Sequence, residues 1–283
     1  MKRLFSIFAV AATLGLGGCS SLGGFGPKAK IRVVKSEVKK TKKIGSILIP
    51  AAMGIKSDDD VSKAALAGAI ASYPPPTGIP VDAIGSTLSA IGAPDFLGEV
   101  LLASYQLNFT KTLATYNKAK KKNKKKKFPS KMALPNKKIE GVKVPKNKKQ
   151  AKALMKEIKT LTSGGEAIKT ALTKGNPKSL QQALSSNKRL TALINATAAW
   201  LVDSSDVTYI ILSKVKGNEE KYNAKKSVYL TAGMVNVKTG KFRYFAQVNG
   251  KQGDIPLPWI GQMGAMSNSI FSKANEKAAI PES

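Results

Sequence analysis

Val228-Tyr229-Leu230-Thr231-Ala232-Gly233-Met234-Val235-Asn236-Val237, then Lys238-Thr239-Gly240-Lys241, then Phe242-Arg243-Tyr244-Phe245-Ala246-Gln247-Val248: this stretch decides the fold. Its first ten residues are rich in β-branched and aromatic side chains, which fit a pleated, half-buried surface. The next four carry Thr and Gly, the chemistry of a tight turn. In the last seven, Phe242, Tyr244 and Ala246 alternate against Arg243 and Phe245, the period of a strand. Two β runs around a Gly-containing turn predict a hairpin. Just upstream, Val207-Thr208-Tyr209-Ile210-Ile211-Leu212-Ser213-Lys214-Val215 reads as a third strand. Downstream, a helix from about Pro258 to Ala278 carries Ile260, Met263, Met266, Ile270 and Phe271, with the Met positions placed to pack on the sheet.

Further outward the period becomes helical. Gln150 to Leu161 carries Ala151, Leu154, Met155 and Ile158 at helical spacing, and Ser163-Gly164-Gly165 breaks it. Glu166–Leu172, Ser179–Leu184 (after an Asn176-Pro177 start) and Leu190–Val202 follow as helices. Near the other end, Ile31-Arg32-Val33-Val34 and Ile44 to Pro50 read as strands. Ser57-Asp58-Asp59-Asp60 opens a helix over Val61–Ile70: acceptor side chains cap its free N–H groups and acids favour the positive end of its dipole. Cation binding by the three Asp is the alternative, and no further acid lies nearby to support it. A second helix spans about Val81 to Ile91. A third starts near Pro94-Asp95 and includes Leu97, Val100, Leu101 and Tyr105; Leu107–Thr110 either finishes it or begins a strand. The expected fold class is α/β with α+β character, helices packed on a mainly antiparallel sheet, with a C-terminal hairpin and terminal helix.

The amino terminus reads as an address. Met1-Lys2-Arg3 is a basic start, and the apolar run Leu4–Leu16 is shorter than the about 20 residues a bilayer span requires. Leu16-Gly17-Gly18-Cys19-Ser20-Ser21 resembles the lipobox of bacterial lipoproteins. The resemblance implies cleavage before Cys19, lipid on Cys19, and, with Ser20 following, an outer-membrane destination. Three acyl chains exceed the two signals that stable anchoring needs. Ser20 to Pro27 is a Gly- and Ser-rich tether.

The 283 residues carry 47 Lys plus Arg against 17 Asp plus Glu, a formal charge of +30. Residues 118–149 hold fifteen Lys and one Glu (Glu140), so 15 − 1 = +14 lies in one segment. Its densest part is Lys120, Lys121, Lys122, Lys124, Lys125, Lys126 and Lys127, followed by Pro129, Pro135 and Pro145. Like-charge repulsion and repeated Pro predict an exposed, mostly disordered loop. Its functional reading is polyanion binding, each Lys contributing up to about 1 kcal/mol at an anionic surface. A solvated loop without a partner is the plain alternative. Nucleic acid is not the expected partner, because the signal peptide exports the chain and no aromatics interleave the lysines to stack on bases.

The chain has one Cys and no His. That excludes Ser-His-Asp and Cys-His catalysis, imidazole metal sites, zinc knuckles and an internal disulfide. No P-loop or Gly-x-Gly-x-x-Gly occurs. Lys238-Thr239-Gly240 matches one element of the penicillin-recognising serine enzymes, and Ser36-Glu37-Val38-Lys39, Ser185-Ser186-Asn187-Lys188 and Ser213-Lys214-Val215-Lys216 fit their Ser-x-x-Lys. Chance explains such matches in so lysine-rich a chain, and a hairpin turn explains Thr239 and Gly240. No enzymatic activity, cofactor or metal is expected.

The C-terminal order, a strand near Asp206–Ile211, a long strand ending at Asn236-Val237-Lys238-Thr239-Gly240, a return strand and a final helix, is similar to the periplasmic α/β domains of curli-secretion-type lipoproteins and of outer-membrane activators of penicillin-binding proteins. Asn236 stands where that group has Asp. The expected organisation is a signal peptide over 1–18, a lipidated tether over 19–30, an N-terminal part over 31–117, the Lys-rich loop over 118–149 and a C-terminal part over 150–283. The expected role is a non-enzymatic accessory or assembly factor, membrane-anchored by its lipid. The alternative is a tethered binder of an anionic envelope polymer: lipopolysaccharide, anionic lipid or peptidoglycan.

Overall fold

In chain order the elements are β1 (Lys30–Val33), α1 (Lys35–Lys40), β2 (Ser46–Leu48), α2 (Phe96–Lys122), α3 (Lys148–Leu161), α4 (Glu166–Thr173), α5 (Lys188–Ser204), β3 (Val207–Lys216), α6 (Glu219–Asn223), β4 (Val228–Asn236), β5 (Phe242–Gly250) and α7 (Trp259–Glu276). This computed structural model describes residues 26–40, 46–48, 96–122, 128–135, 141–162, 166–173, 182–204, 207–253, 258–277 and 279. The helices expected over 61–70 and 81–91, the Asn176-Pro177 start, Cys19 and its tether to Phe25 lie outside the described residues, as do Lys124 to Lys127.

The hairpin forms where expected and anchors a five-stranded sheet of order β1-β5-β4-β3-β2. β1, β5, β4 and β3 pair antiparallel, while β2 joins the far edge parallel to β3. A parallel neighbour requires a long crossover, and the helical half of the chain, α2 to α5, lies within it. The α/β class with a mainly antiparallel sheet and a terminal helix is therefore established.

Each face of the sheet is packed. On one, Tyr209, Ile211, Val215, Leu230, Met234, Tyr244, Ala246 and Val248 meet Trp259, Met263, Met266, Ile270 and Ala274 of α7. These α7 positions recur every three to four residues, the spacing of one helical face. On the other, Ile210, Leu212, Val235, Phe242 and Phe245 meet Val100, Tyr105, Phe109 and Leu113 of α2, with Leu193, Trp200, Ala151, Met155 and Ile158 of α5 and α3 in the same core. Gly233 makes the close approach of α2 possible: a Cβ there would stand 2.6 Å from the Phe242 ring and 3.2 Å from that of Phe109.

The structure differs from expectation in four places. Leu107–Thr110 neither ends a helix nor starts a strand, because α2 runs unbroken through it to Lys122. The alternation in β5 is interrupted: Met234 pairs Tyr244 but Val235 pairs Phe242, so Arg243 is the extra residue of a β-bulge. Phe242 and Phe245 thus share a core, and Arg243 is buried rather than facing solvent. The short helix α6 was not anticipated; Asn218 caps it, its side chain accepting from the Lys221 N–H at 3.0 Å. Finally, the disordered loop expected over 118–149 is corrected at its described residues. Lys118–Lys122 is helix, Met132 and Val142 are buried in the core, and α3 already begins at Lys148. Apolar side chains between the lysines pull the chain back onto the body.

Candidate functional site

The basic run is built on an aromatic clamp. Tyr116, on the last turns of α2, stacks on Phe128, ring centroids 5.7 Å apart and planes within 16°. Both rings also meet Phe245 of β5, at 5.7 and 5.4 Å. Between Tyr116 and Phe128 lie eight lysines: 118, 120, 121, 122, 124, 125, 126 and 127. The clamp holds the two ends of this run together over the sheet. Lys118 and Lys120 are exposed, and the Lys120 ammonium stands 5.9 Å from the Tyr116 ring centre, a cation–π contact. Burial pushes the Tyr116 hydroxyl pKa above its ordinary value.

After Phe128 the chain is tied to the hairpin turn. The Met132 N–H donates to the Gly240 carbonyl (2.8 Å) and the Phe242 N–H to the Ser130 carbonyl (3.0 Å), closing a bridge between Lys131 and Lys241. Gly240 sits at φ +69, and a Cβ there would collide with the Met132 carbonyl. Asn236 organises the turn. Its Oδ1 accepts from the Lys238 and Thr239 N–H groups, both at 3.0 Å. A side-chain oxygen is what the position requires.

A second basic surface was not read from the sequence. Lys148, Lys149, Lys152, Lys156 and Lys159 are all exposed on α3. At 100° per residue they fall within an arc of about 100°, beside the buried stripe of Ala151, Met155 and Ile158. The signal was present as the 148, 152, 156, 159 spacing, but the core stripe drew the reading. The one acid of α3, Glu157, is taken by Arg189 of α5: Nε to Oε1 2.7 Å and Nη2 to Oε2 3.0 Å. That hydrogen bonding lowers the Glu157 pKa and raises that of Arg189. Arg189 also donates to the Gly141 carbonyl at 3.1 Å, fixing the approach to α3.

The remaining polar features are structural or dispersed. Arg243, 2% exposed, donates from Nε to the Ala279 carbonyl at 2.5 Å and from Nη1 to the Glu37 carbonyl at 3.4 Å, and lies 5.6 Å from the Tyr209 ring centre. Lys241 reaches the Glu37 carboxylate at 3.7 Å. Ser213 is buried on the α7 side of β3, and strand alternation sends Lys216 to the opposite face, so this Ser-x-x-Lys does not converge. Ser36 is exposed on α1; the Ser185 hydroxyl donates to the Gln182 carbonyl at 3.1 Å. A depression between α2 and α5, lined by Tyr105, Asn195, Val202 and Val237, offers about 20 Å³, the scale of one water molecule. Tyr105 donates to the Val237 carbonyl there at 3.3 Å, and burial, then Asp203, raises its pKa. Among the described residues no helix is long and apolar enough to cross a membrane. Comparison with family models, with curated proteins and with solved structures yields no match to this chain.

Proposed function

We propose that the chain is a lipid-anchored, non-enzymatic module of the bacterial outer membrane that holds an anionic envelope polymer through its lysine-rich segment. The observation that carries this reading is the stacking of Tyr116 on Phe128, which brings together the two residues that flank a run of eight lysines. Confining like charges in one place raises their local potential, and an anion there relieves it. Lipopolysaccharide phosphates, anionic head groups and peptidoglycan carboxylates share the required charge. The lipid on Cys19 supplies the address, bringing the lysine-rich segment to the membrane that carries these surfaces. The test is co-sedimentation of the full chain with lipopolysaccharide micelles, anionic vesicles and peptidoglycan sacculi. The variant Lys124→Gln, Lys125→Gln, Lys126→Gln, Lys127→Gln should lose most of the binding. Substitution is used because deleting 118–149 would also remove the core residues Met132 and Val142. Equal binding by variant and wild type at physiological salt rejects the assignment.

The accessory or assembly role is the second reading. It is favoured by the C-terminal order of β3, α6, β4, turn, β5 and α7, which contains the strand, hairpin and final helix on which the resemblance to envelope lipoproteins rests. Under this reading the lysine variant complements a deletion strain fully. Both readings require the anchor. Cys19→Ala should release the protein from outer membranes, and mass spectrometry should find a triacylated Cys19 at the wild-type N-terminus.

A further inference from the structure

The two faces of the sheet are not covered alike. On the α7 side the strands are buried to their ends, through Val215, Leu230, Val228 and Val248. On the α2 side the cover stops early. The row Leu212–Gly233–Phe245 lies under Phe109 and Tyr116. The next row across four strands is Lys214–Thr231–Gln247–Lys30, and the one beyond is Lys216–Tyr229–Asn249. None of these seven side chains belongs to the hydrophobic core. Lys30, Lys216 and Asn249 are exposed, Lys214 and Gln247 half-buried, Thr231 buried between those two, and Tyr229 stands 42% exposed between Lys216 and Asn249.

We propose that this open half of the sheet is a binding site for an acidic glycan, a short sugar chain bearing carboxylate or phosphate groups. Three ammonium groups and no acid stand in the two rows, so the ligand is anionic. Gln247 and Asn249 offer two amides, which pair with sugar hydroxyls in both donor and acceptor sense. The Tyr229 ring offers a flat surface for the apolar side of a pyranose. Four strands span about 14 Å, room for a short oligosaccharide lying across them. The other classes fit less well. A single-stranded nucleic acid stacks successive bases on several rings, a membrane surface takes apolar anchors, and an added peptide strand uses a sheet edge rather than a face. Burial, and then the neighbouring charge of Lys216, lowers the Lys214 pKa. That cation is held at a cost which a bound anion offsets. This site does not depend on the lysine run at 118–127: it is made of different residues and adds directional groups to charge.

The test uses the full chain in detergent micelles with three probes: oligogalacturonate, neutral cellohexaose and inorganic polyphosphate. Oligogalacturonate should bind and quench the Tyr229 fluorescence difference between wild type and Tyr229→Phe. Tyr229→Ala should weaken it about tenfold and Lys214→Gln about fivefold, while Tyr229→Phe retains it and reports an intact fold. Polyphosphate binding should be unchanged in Tyr229→Ala and lost in the four-lysine Gln variant at 124 to 127. Oligogalacturonate binding that ignores Tyr229→Ala and Lys214→Gln, that is matched by cellohexaose, or that disappears in the four-lysine Gln variant at 124 to 127 overturns the proposal, as does an absence of oligogalacturonate binding.

Discussion

Arg243 is the residue where burial and charge conflict most sharply. A guanidinium at 2% exposure persists only if its donors are matched. Here they reach the carbonyls of Ala279 and Glu37, so one side chain ties the C-terminal segment and α1 to the bulge of β5. Arg243→Met keeps the stem but orphans both carbonyls and removes the cation beside Tyr209. It should cost about 3 kcal/mol in a urea unfolding titration. At the turn, Asn236→Ala removes one oxygen serving two N–H groups and should cost about 1 to 2 kcal/mol. Asn236→Asp keeps the acceptor and should fall within about 0.5 kcal/mol of wild type. Lys214 gives a pH signature. Its folded pKa is lowered, by burial first and Lys216 second, from the ordinary 10.5. Between the lowered value and 10.5 the unfolded chain holds more protons than the native one, so this group's contribution to stability rises with pH through that window. Below it the penalty is fully present. Lys214→Gln should therefore be more stable than wild type at pH 7, with the gap narrowing as pH approaches 10; denaturation midpoints at the two pH values check this.

The elements owe their positions to shape as much as to pattern. Phe109 of α2 rests in the gap that Gly233 leaves on β4, against Phe242 and Phe245 at 6.2 Å each. Gly233→Ala should force α2 outward at a cost of about 1 to 3 kcal/mol, seen as a lower melting temperature with the far-UV spectrum preserved. The strands and the long helices were legible because periodicity survives in them: β3, β4, α3 and α7 lie within a few residues of expectation. What was illegible has physical reasons. The β5 bulge adds one residue to a strand, and no local propensity marks Arg243 as that residue. Charge and repeated Pro suggest a loop in the lysine segment, yet Phe128, Met132 and Val142 bury enough apolar surface to override repulsion. The clamp and the open sheet rows are products of pairing between residues distant in sequence, Tyr116 with Phe245 or Lys30 with Gln247, which a one-dimensional pattern does not contain.

Over the whole molecule, +30 of formal charge on 30.0 kDa sets two opposing responses to salt. The lysines of α3 and those at the end of α2 repel within the folded chain more than in an extended one, so the native state carries a self-energy that screening reduces. The Debye length falls from about 30 Å at 0.01 M to about 8 Å at 0.15 M, which takes it below the dimensions of the protein. The melting temperature should therefore rise with added sodium chloride over this range, where a protein held by exposed ion pairs would lose stability. Polyanion binding draws on the same charges with the opposite sign, so affinity for polyphosphate should fall steeply over the same range. At fixed low salt, polyphosphate at one hundred times its dissociation constant should stabilise the fold by about 2.7 kcal/mol through mass action. The four-lysine Gln variant at 124 to 127 should start from an equal or higher melting temperature than wild type and gain less from polyphosphate. Thermal melts of the two proteins across salt, with and without polyphosphate, check all of this together. A wild-type melting temperature that falls as salt is added would mean that attractive pairs such as Arg189–Glu157 outweigh the lysine repulsion, and the charged surface would then be a stabilising network rather than a strained one awaiting its anion.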